Sequence, residues 1–135
     1  MNIAYNILQK RVFLEPSKIR LCINPEWLNV RKKLALKNDY EDVLLFDYNI
    51  VSNNVYLFKN SLVASIYNKD TFTEYLFYTP NSGTVLKTND ALFKNINNIF
   101  NCNYYYSDML EKLWIAELNI DNGLDQSNKW FSGYY

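Results

Sequence analysis

An α+β domain, with an antiparallel β-meander of four to six strands packed against about three helices, is what this sequence predicts, on three observations. The stretch from Val43 to Thr79 concentrates Val, Ile, Leu, Phe and Tyr in short runs, the composition of pleated, half-buried backbone. Ser52-Asn53-Asn54, Lys59-Asn60-Ser61 and Asn68-Lys69-Asp70 separate those runs. Second, Asn24-Pro25-Glu26 and Thr88-Asn89 are helix starts: an Asn side chain can accept from a free N–H, and apolar residues at helical spacing follow. Third, no repeat and no Pro/Gly-rich linker divides the chain, so residues 1–135 form one domain.

Taken in order, Ile3, Ala4, Ile7 and Leu8 lie at helical spacing and place a short helix within Asn2 to Leu14, ended by Glu15-Pro16-Ser17. From Lys18 to Asn24 the alternation is that of a half-exposed strand, with Ile19, Leu21 and Ile23 on one side and Lys18, Arg20 and Cys22 on the other. The helix opened by Asn24 runs to about Lys37, with Trp27, Leu28, Val30 and Leu34 as its buried stripe. The meander then places strands near 43–51, 55–58, 62–67 and 71–79, and both faces of the last three are apolar enough to need cover.

A turn at Pro80-Asn81-Ser82-Gly83 leads to a short strand at Thr84 to Lys87. A second helix capped by Thr88 or Asn89 carries Leu92, Phe93, Ile96, Ile99 and Phe100. A third begins at Ser107 or Asp108, carries Leu110, Leu113, Trp114 and Leu118 inward, and is closed by Asp121-Asn122-Gly123. Residues 124–135 form an aromatic tail.

Composition narrows the chemistry. The 135 residues are 49% hydrophobic and 17% aromatic, and a domain of this length buries about 68% of its unfolded surface, enough for a core without metal or disulfide staples. With no His and with Cys22 and Cys102 far apart, the inventory excludes zinc and His-dependent nucleophilic catalysis. Gly83, Gly123 and Gly133 are too scattered for a phosphate-cradling loop. Glu74, in mid-strand on an otherwise apolar face, is the carboxylate to examine should any turnover exist. The expectation is a non-enzymatic protein with no cofactor and no metal. No apolar run approaches the roughly 18 residues that cross a bilayer, so a cytoplasmic location and no membrane partner are expected.

Two groups of binding candidates remain. Net charge is zero, yet residues 1–37 carry eight Lys and Arg against two Glu, or +6, and the remainder carries −6. Arg20, Arg31, Lys32 and Lys33 are the basic-patch candidates. The partner-binding candidates are aromatic: Tyr104, Tyr105 and Tyr106, and, in the tail, Trp130, Phe131, Tyr134 and Tyr135. A terminus of that composition either docks on its own domain or anchors a partner.

The run from Asn54 to Phe100 resembles a pattern in small bacteriophage proteins. It comprises a strand pair (Val55 to Phe58, Leu62 to Ile66), a further strand (Tyr75 to Tyr78), a turn at Gly83, and Lys87-Thr88 opening a helix with Asn95; Thr84 stands where that pattern has an aromatic residue. The resemblance implies a mobile-element origin and no site residue. The leading expectation is thus a protein-binding accessory factor, encoded by a phage or plasmid, that inhibits a host protein in the host cytoplasm. The alternatives are a nucleic-acid-binding module using the basic N-terminal quarter, and a virion or self-assembling component forming homo-oligomers.

Overall fold

The computed structural model describes residues 3–29, 46–68, 72–96 and 104–121. The α+β class holds: these residues form nine strands in two sheets, with short helices between them. The strands are β1 (Ile3–Asn6), β2 (Gln9–Glu15), β3 (Lys18–Ile23), β4 (Phe46–Ile50), β5 (Tyr56–Leu57), β6 (Leu62–Asn68), β7 (Thr73–Tyr78), β8 (Gly83–Thr88) and β9 (Trp114–Ile120). Sheet A has the order β1-β7-β6-β4 and sheet B the order β2-β3-β9-β8-β5. Only β1 against β7 is parallel among the described pairings.

Alternation decides which residues enter the core. Along β3, Ile19, Leu21 and Ile23 are buried, and on its neighbours Leu118 and Val85 share that face. Ala64, Ile66 and Phe77 of sheet A join the same apolar cluster. The two sheets therefore close over one core, which answers the need for cover that the 43–79 run expresses in sequence.

The helix starts fall where the caps predict. Residues 25–29 are helical (α1), with Asn24 Oδ1 accepting from Glu26 N at 2.9 Å; the expected continuation to Lys37 lies outside the described residues. The second helix, α2 (Asp90–Lys94), is capped by Asn89 and buries Leu92 and Phe93. The Phe93 ring lies 5.0 Å from that of Tyr48 on β4.

Two expected helices are corrected. In place of the helix expected within Asn2 to Leu14, the described residues from Ile3 onward form β1 and β2, with Ile7 buried between them. The spacing of Ile3, Ala4, Ile7 and Leu8 mimics a helix because the chain changes sheets at Ile7 and Leu8: Ile7 N donates to Leu76 O in sheet A, and Leu8 O accepts from Asn24 N beside sheet B. The expected helix from Ser107 to Asn119 is a 3-10 turn (Tyr106–Asp108), a single helical turn α3 (Met109–Lys112), and then β9 at the centre of sheet B. Ile115 to Leu118 and Ile120 are buried, and pairing to β3 and β8 on both sides outweighs local helix propensity.

The 43–79 run also divides differently from a simple meander. β4, β6 and β7 are neighbours in sheet A, whereas β5 leaves to pair with β8 in sheet B. Gly83 is a strand residue rather than part of a turn. A Cβ there would lie 2.5 Å from Asn119 O and 2.9 Å from Ile120 Cα, so the close approach of β8 and β9 requires glycine.

Candidate interaction face

On sheet B the residues that alternate with the core point outward and form a row across four strands. Val12 lies opposite Arg20, Arg20 opposite Glu117, and Glu117 opposite Lys87. Glu117 is buried at its own position, and its carboxylate receives Arg20 Nε at 3.2 Å and Lys18 Nζ at 3.9 Å. Lys18 also meets Glu15, at 3.3 Å. A buried carboxylate needs such partners, and here they fix the arginine. Arg20 Nη1 further donates to Leu110 O at 2.8 Å, tying α3 to the sheet.

The arginine so held covers the indole of Trp114, with Arg20 Cζ 4.7 Å and Lys87 Nζ 5.8 Å from the ring. Along the same sheet, Lys10 Nζ sits 4.6 Å from the centre of the Tyr106 ring. Lys10, Lys18, Arg20 and Lys87 thus share this face with the carboxylates Glu15 and Glu117, four cations to two anions. Beneath it, Cys22 is opposite both Lys10 and Trp114 in register and fully buried. Burial pushes its thiol up to about 12, against the pull of the Arg20 charge.

The 3-10 turn borders the face. Asp108 accepts from Tyr105 N at 2.9 Å, which with the nearby Lys112 ammonium holds its carboxyl below the usual range. Tyr105 and Tyr106 are exposed, while Tyr104 packs against the core and is pinned through its backbone by Asn29, whose Nδ2 donates to Tyr104 O at 3.0 Å.

Of the residues singled out in sequence, the fold brings Arg20 and Tyr106 to this face, leaves Tyr105 exposed beside it, and turns Tyr104 inward. Arg31, Lys32, Lys33, Trp130, Phe131, Tyr134 and Tyr135 lie outside the described residues. Trp114, Glu117 and Lys87 were missed. The alternation of Ala116, Leu118 and Ile120 with Glu117 and Asn119 was the signal available for Glu117; the same alternation puts Trp114 on the core side, and only the register shift that passes over Ile115 sets it opposite Cys22. Glu74 lies half-buried on β7, opposite Tyr67 and Ala4. No group of three or more Cys, Asp or Glu that could hold a metal gathers among the described residues, and no described helix is long and apolar enough to cross a membrane.

This architecture has a known counterpart. The fold is similar to that of a glycine cleavage system H protein. The crystal structure of that protein from Mycobacterium marinum superposes with a TM-score of 0.52 at 12% identity, over 81% of this chain and 71% of the other. No family model matches the sequence, and no curated protein matches it. The likeness corrects the resemblance to bacteriophage proteins, because the structural counterpart is not a phage protein. The supposed strand pair at 55–66 is not a pair: β5 bonds to β8, and β6 to β4 and β7. A pattern assembled from local alternation and a cap is common to many α+β chains and carries no ancestry.

Proposed function

We propose that this protein is a small, non-enzymatic docking module that receives an acidic segment of a partner protein on the outer face of sheet B. The observation that carries the reading is Trp114 held beneath Arg20 and Lys87, with Arg20 fixed by the buried Glu117. Trp and Arg are over-represented at the energetic centres of protein interfaces, and side chains already ordered lose less entropy on binding. The excess of cations steers acidic partners and disfavours basic ones. A fold shared with a protein named as one component of a glycine cleavage system supports an accessory role alongside other proteins. Action in the cytoplasm, adapting or inhibiting the partner, belongs to the same reading.

Fluorescence anisotropy with a labelled glutamate-rich peptide and a single-stranded oligonucleotide of equal charge tests it. The expected result is peptide binding that weakens about tenfold, or roughly 1.4 kcal/mol, in each of Lys10→Glu and Lys87→Glu. Absence of peptide binding would remove the reading. Tighter oligonucleotide binding that falls steeply with salt would install the nucleic-acid alternative in its place.

A further inference from the structure

Between Tyr104 and Leu113 the chain lies on the outer face of sheet B as a strap, touching it at Arg20 and Lys10. Both ends are fixed. Asn29 Nδ2 donates to Tyr104 O at 3.0 Å, and Leu113 is fully buried, its carbonyl accepting from Ile23 N at 2.9 Å. Between those anchors neither the 3-10 turn nor α3 contributes a buried residue, and Tyr105, Tyr106 and Leu110 are exposed. The strap holds its shape from within. Asp108 N donates to Tyr105 O at 2.9 Å, Leu113 N donates to Met109 O at 3.2 Å, and Lys112 pairs with Asp108 at 3.4 Å. A segment with local hydrogen bonds and no buried side chain opens at small free-energy cost while the sheet below stays closed.

What lies under the strap gives that opening a consequence. α3 packs on β3 and β9, the strands that carry Arg20 and Trp114, and Leu110 O accepts from Arg20 Nη1 at 2.8 Å. Glu117 holds Arg20 Nε at 3.2 Å. While Glu117 stays in place, a carboxylate can pair with this guanidinium through two parallel bonds only at its Nη groups, and the Leu110 carbonyl stands against one of them. Charge acts in the same direction. Residues 105–112 carry Asp108 and Glu111 against Lys112 alone, so an acidic segment rests on a face with more cations than anions, its Tyr106 ring against Lys10. The strap thus offers the face an acceptor oxygen, an aromatic ring and net negative charge, the chemistry of an acidic partner. A carboxylate brings full charge and a second hydrogen bond to the place where the strap supplies one neutral carbonyl.

We infer that residues 105–112 are a built-in competitor for the docking face, and that an acidic partner reaches Arg20 and Trp114 by displacing them. This rests on the docking reading and adds its regulation: the apparent affinity is the intrinsic affinity scaled by the fraction of molecules whose strap is open.

Two measurements on the full-length protein, both with the glutamate-rich peptide, test it. In hydrogen exchange, saturating peptide should speed exchange across residues 105–112 several-fold while β3 and β9 stay protected. In anisotropy, Ser107→Gly with Leu110→Gly should tighten peptide binding by about fivefold, because glycine loosens both turns and enlarges the open fraction. Both positions are exposed and uncharged, so the core and the charge of the face are untouched. A bound peptide that slows exchange at 105–112 or leaves it unchanged overturns the inference while the docking reading stands, and so does a glycine pair that fails to raise affinity. No peptide binding to either protein overturns the docking reading and the inference with it.

Discussion

β9 and β1 are both extended, and both pair with strands distant in sequence, yet they hold opposite stations. β9 runs through the middle of sheet B with hydrogen-bonded neighbours on both sides, and five of its seven residues are buried. β1 hangs on the edge of sheet A beside β7 alone, with all four residues exposed. The difference teaches that strand pairing by itself contributes little here. Stability resides where a strand is bonded on two sides and covered over the core, and function is expected where outward-facing residues of such a strand are held rigid from below.

The comparison sharpens most in the core of β9. Leu118→Ala removes a fully buried side chain that shares the core face with Ile19 and Val85, and should cost about 3 kcal/mol. Gly83→Ala should cost roughly 2 kcal/mol, because the atoms its Cβ would meet are β9 backbone, which cannot turn aside. Urea unfolding checks both through a lower midpoint at unchanged slope.

On the outward side of the same strand, Glu117→Ala strips Arg20 of its carboxylate and leaves Lys18 with Glu15 alone. A loss of about 2 kcal/mol is expected, less than for a fully buried pair, because both cations retain some contact with water. A structural role alone would lower stability only. If the row also serves docking, affinity for an acidic peptide should fall too, since Arg20 is then no longer fixed over Trp114.

Cys22 supplies a pH-dependent test from the strand next to β9. Burial raises its folded-state value from 9.0 to about 12, so the neutral thiol is the form the fold favours. Its contribution is fully present below pH 9 and is lost as pH rises toward 12. Thermal unfolding followed from pH 8 upward should show a decline that Cys22→Ala lessens. At pH 8 a thiol reagent should label Cys22 only when the protein unfolds.

The smallest effect belongs to β1. Ile3→Ser, at a half-exposed edge position, should change stability by no more than about 0.5 kcal/mol. A loss as large as that of Leu118→Ala would break the contrast between the two strands and show β1 to be integral to the core.

Legibility followed the range of the interactions. The strand at Lys18 to Ile23 was readable because alternation is written in adjacent residues, and α1 and α2 because Asn24 and Asn89 cap them within three positions. β9 was not, because Ile115 breaks the period just where Met109 to Leu113 completes a genuine helical turn, and the pairing that makes it a strand comes from residues 18–22 and 83–88. The candidate face was half legible. Arg20 and Tyr106 stood out by residue type, but Trp114 and Glu117 were assigned to a helix, and nothing local links Lys87 to either.

By itself the sequence determined the α+β class, the caps, the inward set of β3 and an inventory without a histidine, since these depend on neighbours along the chain or on composition alone. Only the tertiary structure decided that β5 leaves sheet A for sheet B, that residues 114–120 are a central strand, and that Arg20, Glu117, Lys87 and Trp114 meet. The reason is physical: a register between strands some ninety residues apart is chosen by the shape of the core they close together, and no short window of sequence contains that core.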